Sequence, residues 1–151
     1  MMAERFFEDV AVGDALPERE FGPFTIGDGV RWAGCLELWN PLHFDREYAR
    51  ENTRGLHTFI ASGAYRQALL ARTLTEWSGP RGRLRKLRLR HTGPVFEGDT
   101  MRFSGRVVER SENADEPWLA CDLTGINQRG EQFLVGRCVL FLAGRADGGE
   151  R

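Results

Sequence analysis

The residues best suited to acid–base chemistry lie in Trp39-Asn40-Pro41-Leu42-His43-Phe44-Asp45. Histidine is the one side chain whose unperturbed pKa places its charge change near neutrality, and an asparagine amide both donates and accepts hydrogen bonds. Pro41 lacks a backbone donor and pushes Asn40 out of the helical region. A helix arriving from Val30 is therefore expected to stop there, leaving Asn40 and His43 on a stiff turn. Proton transfer needs such a mount, yet a loop histidine beside a proline can equally be structural, and the stretch alone does not decide between them. A second stretch, Ser62-Gly63-Ala64, opens the longest helical segment. A helix starting there gathers unpaired backbone N–H groups and the positive end of its dipole at Ser62 and Gly63. The plainer role is a serine cap followed by a glycine that permits close packing.

The elements that must position these residues follow from spacing. Thr25-Ile26-Gly27-Asp28 supplies a hydroxyl cap with an acidic residue three positions on, which predicts a helix from near Ile26 to the Asn40-Pro41 break. Residues 45–52 read as a short polar helix closed by Gly55. From Ser62 to Trp77 apolar residues recur at helical spacing for about 24 Å, with few polar residues to expose, so this helix is expected to be covered nearly all round. Residues 5–24 hold two short extended pieces. The period then changes: Leu84, Leu87 and Leu89 among arginines, 100–109, 118–127 and 132–143 predict a four-strand antiparallel meander, with turns at Gly98-Asp99, 113–117 and Arg129-Gly130. Residues 144–151 have nothing to bury and are expected to be a mobile tail. The order implies one α+β domain over 1–151, with a core at about 5–142, in which an antiparallel sheet wraps a long central helix and a second copy covers the open sheet edges.

A length of 151 residues suits one domain; 41% hydrophobic and 28% charged residues mark a globular chain, and no apolar run approaches the roughly 18 residues of a membrane span. The acidic N-terminus lacks a secretory h-region, so the expected location is the cytoplasm. A formal charge of −1 argues against a nucleic-acid partner. The stripe Arg81, Arg83, Arg85, Lys86, Arg88 and Arg90 alternates with leucines and reads as a solvated strand face or as a contact for phosphates. Cys35, Cys121 and Cys138 lie far apart among apolar residues and are expected to be buried free thiols. The histidines at 43, 57 and 91 lack ligand spacing, so no metal is expected; His57 is expected to line a pocket at the central helix start, and His91 to be structural.

Three stretches in this order, Asn40-Pro41-Leu42-His43-Phe44-Asp45, Ile60-Ala61-Ser62-Gly63 and Gly93-Pro94-Val95-Phe96-Glu97-Gly98-Asp99-Thr100, resemble the MaoC-like hydratases of the hot-dog superfamily over about residues 5–142. The resemblance implies active sites at a dimer interface and acyl thioesters of coenzyme A or acyl carrier protein as substrates. Water is added to a trans-2-enoyl group or removed in reverse. It assigns His43 and Asn40 to catalysis and the N–H near Gly63, between Ser62 and Ala64, to the thioester carbonyl. No cofactor is implied beyond the coenzyme A carried by the substrate.

One position departs from the family pattern Ser-Gly-Asp-x-Asn-Pro-x-His, because Leu36-Glu37-Leu38 stand where Ser-Gly-Asp is expected. Leu38 cannot move a proton, and one positioned acid–base group is worth about 10²–10⁴ in rate. Glu37 is the candidate replacement, although a shift of one residue on a helix turns a side chain by about 100°. Three functions follow: an enoyl-thioester hydratase or dehydratase acting as a homodimer or higher homo-oligomer, a non-catalytic acyl-thioester-binding subunit with a heteromeric hot-dog partner, and a hot-dog thioesterase.

Overall fold

Alternation in the second half of the chain yields β2 (Arg83–His91), β3 (Met101–Arg110), β4 (Trp118–Ile126) and β5 (Gln132–Phe141); a fifth strand, β1 (Ala15–Phe21), comes from the N-terminal part. The computed structural model, which describes residues 5–111 and 117–145, joins them in the order β1-β3-β4-β5-β2 with every pair antiparallel. The expected four-strand meander therefore holds only for β3, β4 and β5. β2 lies beside β5 at the far edge, because the connection leaving it is claimed by the segment before the central helix. Ala61 N–H donates to Val95 O at 2.8 Å and Glu97 N–H to Phe59 O at 3.2 Å.

The inner face of the sheet carries Met101, Phe103, Val107, Leu119, Cys121, Leu123, Leu134, Cys138 and Leu140, all buried, against Leu70, Leu74 and Trp77 of α3 (Gly63–Ser78). This is the expected α+β arrangement of a sheet on one long helix. The helix is not covered all round: Ala64, Gln67, Arg72 and Thr75 are exposed. One sheet screens one side, and the opposite side is built from alanines and polar residues. Cys121 and Cys138 are cross-strand neighbours and buried, whereas Cys35 is exposed, contrary to expectation, because it lies on the solvent side of α1 (Ile26–Leu36). The hydrogen bond with Cys121, then burial, pushes the Cys138 thiol up.

α1 begins as expected, with Thr25 and Asp28 reciprocating in a capping box: Asp28 N–H donates to Thr25 Oγ1 at 3.3 Å and Thr25 N–H to Asp28 Oδ2 at 2.9 Å. It ends at Leu36, before the proline. Glu37 adopts a left-handed conformation, φ 53°, and Leu38 N–H returns to Ala33 O at 3.0 Å, so the helix is terminated by its own C-terminal turn. In α2 (Arg46–Asn52) Asp45 is the cap, accepting Tyr48 N–H at 3.0 Å, and Gly55 lies in the turn beyond Thr53. The first extended piece expected near the N-terminus is instead a 3-10 turn, Phe7–Asp9. Of the tail expected at 144–151, residues 146–151 lie outside the described residues, as do 112–116 of one expected turn. Arg145 is still docked, its N–H donating to Glu8 Oε1 at 3.1 Å. No described helix is long and apolar enough to cross a membrane.

The Gly98-Asp99 turn is a structural anchor. Asp99, 3% exposed, accepts Phe96 N–H at 3.0 Å, Gln128 Nε2 at 2.8 Å and the Arg129 guanidinium at 2.7 Å. Burial alone would raise its carboxyl pKa, but the hydrogen bonds from Arg129, Phe96 and Gln128 outweigh burial and hold it below the usual range. Asp99→Asn is expected to cost about 2 kcal/mol at neutral pH. Because the folded pKa is depressed, this stability is present above the unfolded value of about 3.9 and lost as pH falls through the folded one. Urea unfolding of the two proteins should therefore differ at pH 7 and converge at acid pH.

Candidate active site

Residues 40–45 turn tightly between α1 and α2. Pro41–His43 form a 3-10 turn capped by Asn40, whose Oδ1 accepts Leu42 N–H at 3.1 Å while its carbonyl accepts His43 N–H at 3.1 Å. The turn is pinned to the segment entering α3: Ile60 N–H donates to Leu42 O at 3.2 Å, and His43 Nδ1 lies 2.9 Å from Ile60 O. A carbonyl only accepts, so Nδ1 carries the proton and the neutral imidazole keeps its lone pair on Nε2. Ile60 is bridged in turn to Phe96, and Arg46 of α2 grips Glu97, Nε to Oε2 2.6 Å, while the Thr58 hydroxyl donates to the same carboxylate at 3.1 Å. A Cβ on Gly29 of α1 would fall 2.2 Å from His43 O, so only glycine lets α1 meet the turn backbone to backbone.

α3 opens against this turn. Ser62 Oγ accepts Tyr65 N–H at 3.1 Å and Ser62 O accepts Arg66 N–H at 3.2 Å. The N–H groups of Gly63 and Ala64 precede these bonds and are not used by the helix. Between turn and helix lies a cavity of about 340 Å³. Its lining combines Asn40, His43 and Ser62 with Gly63 and Ala64 at the start of α3, and with the apolar Phe24, Trp32, Ala33, Leu36 and Leu38 and the Tyr65 ring. Burial raises the Tyr65 hydroxyl pKa, which keeps it neutral. A base, two backbone donors backed by a helix dipole and an apolar wall suit a ligand with an apolar chain ending in a carbonyl.

Five residues expected from the sequence, Asn40, His43, Ser62, Gly63 and Ala64, thus converge on one cavity. Glu37 does not join them: its left-handed backbone turns it to solvent and sets Leu36 and Leu38 on the cavity wall. His57 does not line the cavity either; its ring packs on Phe96, with centroids 4.3 Å apart. His91, expected to be structural, packs against the start of α3, since a Cβ on Gly63 would meet its Nε2 at 2.9 Å. Burial, then the charge of Arg66, lowers its pKa. From Arg83 on, the arginine stripe lies on the edge strand β2, with Arg81 in the turn before it, and none of it lines the cavity. Trp32 and Tyr65 escaped the sequence reading as site residues; the available signal was the Trp32-Ala33-Leu36 face of α1 and the place of Tyr65 one turn after the Ser62 cap. Among the described residues no three His, Cys, Asp or Glu side chains converge as metal ligands.

Known proteins give this geometry a family. No curated protein matches the chain. Among solved structures, the (R)-hydratase PhaJ1 from Pseudomonas aeruginosa aligns with a TM-score of 0.80 at 24% identity, covering 92% of this chain and 86% of that one. The (R)-hydratase from A. caviae involved in PHA biosynthesis gives 0.79 at 24% identity over 89% and 98% of the two chains. The ChsH1-ChsH2 complex from Mycobacterium tuberculosis gives 0.76 at 23% identity over 87% and 98%. At such identities these likenesses establish the hot-dog fold. Residues 25–118 match the family model described as MaoC like domain. That span contains the His43 turn, the start of α3 and the β2–β3 connection, and with it the chain belongs to the MaoC-like domain family.

Proposed function

We propose that the protein is an enoyl-thioester hydratase or dehydratase, adding water across a trans-2-enoyl group carried on coenzyme A or acyl carrier protein. The observation that supports this reading is the shared cavity, lined both by His43, whose Nδ1 faces the Ile60 carbonyl, and by Gly63 and Ala64 at the start of α3. In this reading the thioester carbonyl accepts from the Gly63 and Ala64 N–H groups, and water donates to His43 Nε2 while the Asn40 amide N–H donates to its oxygen. His43 takes a proton as the water oxygen bonds to carbon 3. The π electrons shift toward carbon 2 and the carbonyl, where the backbone donors and dipole hold the enolate-like charge. The imidazolium then returns its proton to carbon 2, completing the addition of one water. Family membership and the fold shared with two (R)-hydratases support the assignment. Crystals soaked with crotonyl-CoA are expected to show the carbonyl within hydrogen-bonding distance of the Gly63 or Ala64 nitrogen; acyl density elsewhere overturns the reading.

A second reading has one specific observation behind it. Leu38 lies on the cavity wall where the family pattern carries an acid, which suits an acyl-thioester-binding subunit whose homologous partner supplies the chemistry. Either way a second chain is proposed to cover the exposed side of α3 and the open edge of β2. Light scattering at micromolar concentration should return at least twice the 17.1 kDa of one chain, and a monomer would count against this.

A further inference from the structure

Arg66 stands one turn into α3 and is 5% exposed, yet no carboxylate pairs with it among the described residues. Its donors go to main-chain carbonyls: NH1 to Gly93 O at 2.8 Å and Nε to Ser62 O at 3.5 Å, while the guanidinium lies 5.9 Å from the centre of the Phe133 ring. Burial lowers its pKa to about 10, which leaves it charged at neutral pH. A buried cation without a counter-charge destabilises a fold, and a stitch between Ser62 and Gly93 needs no charge. Side chains on a helix lean toward its N-terminus, and the Nε contact to Ser62 O sets this charge at the level of Ser62, beside the first turn that lines the cavity.

We infer that Arg66 is a positioning residue of the thioester site, fixing the first turn of α3 to the β2–β3 connection and setting a positive charge behind the Gly63 and Ala64 donors to favour the enolate-like state of a bound acyl thioester. The inference rests on the acyl-thioester reading above. It gives the buried charge a use that a neutral stitch lacks: its counter-charge is the one that develops on the bound substrate. The helix dipole contributes the equivalent of half a charge at the same end, and a full charge held in a low-dielectric site adds to it without reorganisation during the reaction. His91, against Gly63 and within the field of the same guanidinium, reports on that field.

The probe is acetoacetyl-CoA, a 3-oxoacyl thioester whose bound enolate has its own near-ultraviolet band and which requires no turnover. Wild-type protein is expected to bind it with a raised enolate fraction. Arg66→Gln and Arg66→Met should lower that fraction by about 10- to 100-fold while binding of the keto form changes little, and Arg66→Lys should retain most of it. His91 should titrate at higher pH by NMR in both neutral variants. On crotonyl-CoA the same neutral substitutions should lower kcat with KM nearly unchanged. Neutral variants that lose only thermal stability, with enolate fraction and kcat intact, overturn the inference alone, as does wild-type protein that binds the thioester without enolising it. Wild-type protein that binds no thioester overturns the acyl-thioester reading and this inference with it.

Discussion

His43→Ala is expected to lower kcat for crotonyl-CoA hydration by about 10²–10⁴, the value of one positioned acid–base group, with a much smaller change in KM. Among the described residues that line the cavity, the titratable side chains are the imidazole and the Tyr65 phenol, and the imidazole Nδ1 is committed to Ile60 O. Glu37→Gln separates the two candidate proton carriers. Since Glu37 faces solvent on a left-handed residue, its loss should leave kcat within about two-fold, as for a surface change distant from the chemistry. A fall comparable to that of His43→Ala would place Glu37 in the mechanism and require the end of α1 to rearrange on binding.

The opposite substitution should produce a gain. Leu38 borders the same cavity as His43 but is 64% exposed, so a carboxylate there keeps much of its water and costs the fold little. Leu38→Asp is expected to raise the hydration rate by about 10²-fold, because it adds to the lining of the same cavity a second group able to hold water and move protons. Initial rates on a panel of enoyl-CoAs, with folding checked by circular dichroism, measure it. If neither wild type nor Leu38→Asp turns over while both bind thioester, the protein is a binding subunit and chemistry belongs to a partner chain.

Local signals were legible wherever the physics is local. The Thr25 and Ser62 caps, the period-2 strands and the Asn40-Pro41 turn each depend on a few neighbouring residues, and each appears where the sequence puts it. What was hidden depends on distant partners. Nothing near Leu84–Leu89 says that β2 pairs with β5 and not β3; that follows from Ala61 and Glu97 binding the connection. The early end of α1 turned on Glu37 entering the left-handed region, which proline-based reasoning placed four residues later. The polar residues of the cavity lining could be picked out because turn and cap chemistry marks them, whereas Trp32 and Tyr65 look like any core aromatic until two helices are set side by side.

The pairing of His43 Nδ1 with Ile60 O has an evolutionary consequence. In many acid–base sites the tautomer of the histidine is set by a carboxylate or an amide, and a single codon change there disarms the base. Here the acceptor is main chain, so almost any residue at 60 preserves it. The proton on Nδ1 is inherited with the backbone trace, and a lineage can drift at position 38, gaining or shedding an acid, without disturbing the state of the imidazole. On the proposed reading, such a scaffold keeps its base through substitutions at 60 and leaves position 38 free to set the second group.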